Sequence, residues 1–255
     1  MRYLRFSYEI ESVIPANHPR RKSLLLREKL VEGYRNGLVC DNGLIAHGRG
    51  EAFYYLLGEK TRRPAREAIK AAAAALLLAE RPVISVNGNA AALAAESIAE
   101  LAKELNCKVE VNLFYRTQER AERIGEHLRK AGVREVLGVR DAHARIPELF
   151  SERRKVSIEG IYRADCVLIP LEDGDRCEAL VGMGKRTIAI DLNPLSRTAR
   201  KADITIVDEI TRAIPLLVKE VKKLKGKNKA YLNSVLKHYN NKRILEESRK
   251  LIDLH

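Results

Sequence analysis

From about residue 81 onward, short β-branched apolar runs alternate with stretches of helical period. The apolar runs fall at 83–86, 108–114, 135–139, 164–170, 187–190 and 204–207, and the helical stretches at 90–105, 117–131 and 209–225. Runs that stay apolar at successive positions belong to strands buried on both faces. Strand and helix in alternation imply right-handed crossovers and a parallel sheet. The expected class is α/β: a Rossmann-like, mostly parallel six-stranded sheet with helices on both faces, an N-terminal helical region and a C-terminal helix. Three segments follow: 1–80, helical with a glycine-rich loop and packed on the core; 81–225, the α/β core; and 226–255, a helical extension.

Ahead of the core the pattern is helical. Tyr3 to Phe6 suggests a short extended piece, and Asn17-His18-Pro19 opens a helix with Pro near its first position. At 100° per residue one face carries Arg20, Ser23, Leu24, Arg27, Leu30, Val31 and Tyr34, and Asn36-Gly37 ends it. Residues 41–52, with glycines at 43, 48 and 50, read as a loop, and 51–57 as a short helix. Pro64 begins a long helix to about Ala79, whose Ala71–Ala75 segment is suited to close packing. A single helix from Lys229 to Leu254 is expected at the far end.

Composition narrows the class. Hydrophobic residues make up 45% of the 255, enough for a core, and charged residues 32%, with Trp absent, as in proteins of hot environments. No apolar run is long enough to span a bilayer and the amino terminus lacks a signal-peptide pattern, so a cytoplasmic location is expected. Cys40, Cys107, Cys166 and Cys177 are scattered without CxxC or histidine partners, which argues against structural zinc. The net charge of +13 suits either nucleic acid or highly anionic small molecules. Much of the excess lies in KEVKKLKGKNK and from Lys237 to Lys250, a pattern of solvated helix faces without interleaved aromatics. A basic nucleic-acid-binding α/β protein is the alternative reading. A GxGxxG fingerprint is absent, which argues against a nicotinamide oxidoreductase. Gly182-Met183-Gly184-Lys185-Arg186-Thr187 resembles a P-loop but precedes a strand rather than following one, so its glycines read as a helix stop.

Candidate chemistry gathers at strand ends, where open α/β sheets bind ligands. Asp191-Leu192-Asn193-Pro194-Leu195-Ser196-Arg197-Thr198 follows one strand, offering groups for a ribose and a phosphate, or only turn caps. Asn87-Gly88-Asn89 precedes a helix whose first amides attract anions. Arg116-Thr117 is an anion contact or a capped helix start. Arg27, set on an apolar face, must meet a ligand phosphate or a core carboxylate, and arginine forks favour the ligand. Arg49 between glycines, with His47 and Glu51 beside it, adds a cation and proton-transfer groups.

The stretches IPANHPRRKSLLLREKLVEGYRNGLV, GLIAHGRGEAFYYLLGEKT, VNGNAAALA and AIDLNPLSRTARKADITIVDEI resemble the archaeal 4-phosphopantoate–β-alanine ligase family, also called archaeal phosphopantothenate synthetases. The resemblance runs from Ile14 to about residue 222. It implies amide formation between 4-phosphopantoate and β-alanine in coenzyme A biosynthesis, through an acyl-adenylate, with ATP cleaved to AMP and diphosphate and Mg²⁺ accompanying the nucleotide. It implies a homodimer with a Rossmann-like core. Carried over by motif, the ATP contacts fall on Arg27, Arg49, Asp191, Leu192, Asn193, Arg197 and Thr198, and on Glu209 and Ile210 after the last strand. His47, Asn87 and Asn89 are the further candidates for substrate binding.

Overall fold

The computed structural model describes residues 14–252, so the extended piece at Tyr3–Phe6 lies outside the described residues. Six parallel strands form one sheet in the order β3-β2-β1-β6-β7-β8: β1 (Pro82–Val86), β2 (Lys108–Val111), β3 (Val136–Leu137), β6 (Cys166–Pro170), β7 (Arg186–Ile190) and β8 (Ile204–Ile206). Along each strand almost every residue is buried, as the unbroken apolar runs require. The strand order reverses at β1, which pairs β2 on one side and β6 on the other. That reversal opens a crevice at the carboxyl ends of the two strands.

Helices cover both faces. On one face α3 (Arg63–Leu78), α4 (Gly88–Leu105), α5 (Gln118–Lys130) and α8 (Ile210–Leu224) enclose a core that includes Ile84, Val109, Leu168, Ile188 and Ile206. Ala71 to Ala75 are at most 1% exposed, so the alanine run buries a helix at backbone distance from its neighbours. On the other face α6 (Gly174–Gly182) and α7 (Arg197–Lys201) pack with residues 144–161 over Val83, Val167, Ile169 and Ala189. That segment holds a two-stranded antiparallel piece, β4 (Ala144–Arg145) with β5 (Lys155–Val156), which periodicity does not reveal because each strand is two residues long.

Three expectations are corrected. The first helix, α1 (Arg21–Arg35), starts after a turn in which His18 Nδ1 accepts from the Arg20 amide, and it buries Ser23, Leu30 and Gly33. The buried face is therefore rotated toward Gly33, which meets Ala92, and Arg27 sits on its half-exposed flank. Residues 41–52 are not a loop: α2 runs unbroken from Asp41 to Leu57. Three glycines weaken such a helix by about 1 kcal/mol each relative to alanine. Tertiary contacts offset this, since Asn89 Nδ2 donates to the Gly43 carbonyl at 2.8 Å and Tyr54 and Leu57 are buried. The C-terminal helix is two, α9 (Lys229–His238) and α10 (Asn241–Ile252). The break serves the sheet edge, where Asn241 Oδ1 and the Tyr239 hydroxyl both accept from the Thr205 amide of β8.

Gly88, where α4 leaves β1, has its backbone pressed against the α1–α2 turn: a Cβ there would lie 2.2 Å from the Leu38 carbonyl oxygen. Gly88→Ala is expected to cost about 1–3 kcal/mol, as overpacking of a tight contact does. Urea unfolding measures it, and a variant within 0.5 kcal/mol of wild type, roughly a neutral surface change, contradicts the contact.

Candidate active site

A cleft of about 510 Å³ opens at the strand reversal. Its floor is Asn87, Gly88 and Asn89 after β1, with Leu171, Glu172 and Asp173 after β6; Leu113, Phe114 and Tyr115 after β2 form one wall, and Asp191, Leu192, Asn193 and Ser196 after β7 another. One side of α2 closes it, through Asn42, Gly43, Ile45, Ala46, His47, Arg49, Gly50 and Phe53. On that side Gly43, Ala46 and Gly50 recur at helical spacing, so the glycines that imitated a loop keep the helix thin where it borders the cleft.

Of the residues singled out from the sequence, His47, Arg49, Asn87, Asn89, Asp191, Leu192 and Asn193 come together here. Arg49 is exposed on a helix rather than cradled by a glycine loop. The two asparagines are engaged with the protein. Asn87 caps α4 through Oδ1 and donates to the Pro170 and Leu171 carbonyls, which ties β1 to β6. Asn89 holds α2. Asp191 accepts from the Asn193 amide at 2.9 Å and from the Ser196 hydroxyl, so the turn-capping reading of this stretch holds while its atoms still line the cleft. Burial pushes the Asp191 carboxyl up, and those two hydrogen bonds oppose the shift.

Arg27 does not reach the lining. Its Nε donates to both oxygens of the buried Glu51, at 2.7 and 2.8 Å, so the core-carboxylate alternative describes this contact. Arg197, exposed, pairs with Glu178, and the Thr198 hydroxyl donates to the Glu172 carbonyl at 2.8 Å. Glu209 caps α8 through Thr211, and Ile210 lies in the core. Among the described residues the Glu209 Oε1 and the Tyr54 hydroxyl are both buried without a hydrogen-bond partner, and burial with the nearby Glu209 charge raises the Tyr54 phenol. The Thr117 hydroxyl caps α5, and the Arg116 guanidinium donates to the Val139 carbonyl while its Nη1 is buried without a partner among the described residues.

Two cations escaped the sequence reading. Arg120, on α5, donates to the Leu38 and Tyr115 carbonyls at 2.9 and 2.8 Å and lines the cleft. Arg153, from the connection between β3 and β6, is buried and pairs with Glu172 at 3.1 Å and Asp173 at 2.6 Å. Behind them Arg176, fully buried on α6, pairs with the same Glu172 and reaches the Ser85 hydroxyl at 3.2 Å. Nothing in the periodicity marks Arg153, and only the i, i+4 spacing of Glu172 and Arg176 hinted at a pair. Phe114 and Tyr115, half-exposed with ring centroids 4.9 Å apart, form an apolar lip.

The cleft thus offers guanidinium groups and a helix amino terminus to an anion, beside buried carboxylates and an apolar wall. Several cations of the lysine-rich tail are paired instead with the body, Lys222 with Glu100, Lys225 with Glu104 and Arg243 with Glu67. Among the described residues no helix is long and apolar enough to cross a membrane.

Residues 64–255 match the phosphopantothenate/pantothenate synthetase family. The chain is 54% identical over 235 residues to the 4-phosphopantoate–β-alanine ligase of Thermococcus kodakarensis, covering 92% of this chain and 90% of that one. It is 52% identical over 242 residues to the enzyme of the same name from Methanosarcina mazei, covering 95% of each. The chain belongs to the phosphopantothenate/pantothenate synthetase family.

Proposed function

We propose that the chain is a 4-phosphopantoate–β-alanine ligase that activates the carboxylate of 4-phosphopantoate with ATP, releasing diphosphate, and passes the acyl group to β-alanine, releasing AMP. The observation that carries this reading is the cleft at the strand reversal, where Arg49, Arg120 and Arg153 meet the amino terminus of α4. Bringing a triphosphate and a second phosphate into one site requires such preorganised positive charge. Holding the carboxylate in line with the α-phosphorus supplies much of the acceleration without a covalent nucleophile. Identity above one half with ligases of this name supports the substrate assignment.

In this reading Arg49 meets the ATP phosphates, while Asp191, Leu192 and Asn193 hold the nucleoside. Arg27 steadies α2 through Glu51. Arg197, Thr198, Glu209 and Ile210 line no part of the cleft and would join the nucleotide site through the ends of β7 and β8. The 4-phosphopantoate phosphate would lie at the first amides of α4, beside Asn87 and Asn89. Mg²⁺ would ride on the nucleotide phosphates and water, since among the described residues no group of three or more His, Cys, Asp and Glu could hold a metal. A homodimer fits the exposure of Tyr55 on α2, at 55%.

The test is incubation with ATP, Mg²⁺, 4-phosphopantoate and β-alanine. AMP and the amide should appear only when all are present, and no AMP under any condition refutes the reading. Arg49→Ala should raise the KM for ATP about tenfold, the loss of one charge-assisted contact of about 1.5 kcal/mol; an unchanged KM removes Arg49 from the nucleotide site.

A further inference from the structure

The cleft holds several titratable groups, but nearly all are engaged. Glu172 is held between Arg153 and Arg176. Asp173 pairs with Arg153, and Asp191 accepts from Ser196 and Asn193. His47 differs: it lines the cleft, and its Nε2 is buried without a hydrogen-bond partner among the described residues. An imidazole nitrogen cut off from water and bonded to nothing among the described residues is costly unless a ligand meets it. One helical turn further along α2 is Glu51, itself fixed by Arg27 and within 3.5 Å of Arg20.

We propose that His47 Nε2 accepts the proton released from the β-alanine nitrogen as the amide bond forms, with the Glu51 carboxylate stabilising the imidazolium. The proposal rests on the ligase reading above and assigns a catalytic residue to its second half. β-Alanine enters as an ammonium ion and loses one proton to solvent to free its lone pair. The nitrogen then attacks the acyl carbon, and the bond from that carbon to the phosphate oxygen breaks, its electron pair leaving with AMP. The second proton passes from nitrogen to Nε2, the ring carrying its own hydrogen on Nδ1. Relays of this kind contribute about 10²–10⁴-fold when the base is correctly protonated at working pH.

The charges around the ring suit that task. Burial holds the imidazole below its ordinary 6.5, Glu51 draws it up and Arg27 pushes it down. On α2 itself the other charged neighbour is Arg49, and Asp191 faces the same cleft from the end of β7. The contact of α2 with α4 is made by Asn89, which does not titrate, and α10 meets α2 farther along, where Leu245 packs with Tyr54 and Leu57. The free enzyme thus carries a neutral imidazole at neutral pH, ready to accept.

The test separates the two halves of the reaction. In His47→Gln, 4-phosphopantoate-dependent exchange between pyrophosphate and ATP should stay within threefold of wild type, roughly the limit of a neutral change. Amide formation should fall about 10²-fold. Corrected for the fraction of β-alanine present as free amine, the wild-type rate of amide formation should decline on an acidic limb below pH 6.5, a limb absent from the variant. In Glu51→Gln the limb should move to lower pH, because the opposing carboxylate is gone; this gives a second readout if His47→Gln folds poorly. The proposal is overturned if amide formation is unchanged in His47→Gln, if exchange falls as far as amide formation, or if the limb persists. A wild-type protein that catalyses no exchange fails the adenylation reading itself, and the role of His47 falls with it.

Discussion

Glu172→Ala is expected to destabilise the protein by about 3–5 kcal/mol, the cost of stripping one partner from a buried ion pair. Glu172 is nearly inaccessible, Arg176 is wholly so, and the Arg153 side chain is 7% exposed. Removing the carboxylate leaves Arg176 with only the Ser85 hydroxyl, while Arg153 keeps Asp173. The charge without an ion partner is therefore Arg176, and its neutralisation should return most of the loss. In Glu172→Ala/Arg176→Met the penalty should shrink to about 1–2 kcal/mol, because a buried pair and an apolar replacement of similar volume are close in energy. Urea unfolding of the wild type, the two single variants and the double variant completes the cycle. A Glu172→Ala variant within about 1 kcal/mol of wild type, or singles that simply add, would mean that these charges do not act as a unit. Small domains are stable by only about 5–15 kcal/mol, so the expected loss should also be plain as a lowered Tm.

The same cluster shows where sequence reading reaches its limit. Strands were legible because burial on both faces leaves an unbroken β-branched run, as in Thr187-Ile188-Ala189-Ile190, and the alternation with helices implied the parallel sheet, whereas the strand order that sets the crevice at β1 lies in tertiary pairing. Asp191, Asn87 and Asn89 were found because strand ends are where such sheets bind ligands. Arg153 was not, because it hangs on a segment whose local elements are two to five residues long and whose position depends on tertiary contacts. Helix α2 was misread for a related reason. Glycine at 43, 48 and 50 lowers local helix propensity, and the compensation comes from Asn89, forty-six residues away. Arg27 lies one helical step off the buried face of Ser23, Leu30 and Gly33, and Gly33 has no side chain to mark its part of that face as apolar.

The connection that carries Arg153 is fastened to the end of β2 by the Asn112 side chain, which donates to the Arg153 and Lys155 carbonyls, and by a carboxyl group that makes the protein's stability depend on pH. Glu110, completely buried on β2, accepts from the Ser157 amide at 3.0 Å and the Ile161 amide at 2.6 Å. Burial carries its pKa from 4.5 to about 7, with those two hydrogen bonds opposing the shift and Arg176 adding to them. The folded state therefore holds a proton that the unfolded chain has already released, and the associated stability is complete below pH 4.5 and lost as pH rises through 7. A change of that size corresponds to about 3 kcal/mol. Asp173, Asp191 and Glu209 are also pushed up by burial and slope the same way, while His47, held low, slopes oppositely below its ordinary value. The contribution of Glu110 is isolated by subtraction. Glu110→Gln keeps one acceptor, turns an amide NH₂ toward the second backbone N–H, and cannot ionise, so it should be less stable than wild type at every acidic pH. The gap between the two proteins, measured by urea unfolding from pH 4.5 to 8, should narrow by about 3 kcal/mol as Glu110 ionises in the wild type. A gap that stays constant across that range would show that Glu110 is charged at all of these pH values, and that the two amides and Arg176 outweigh burial.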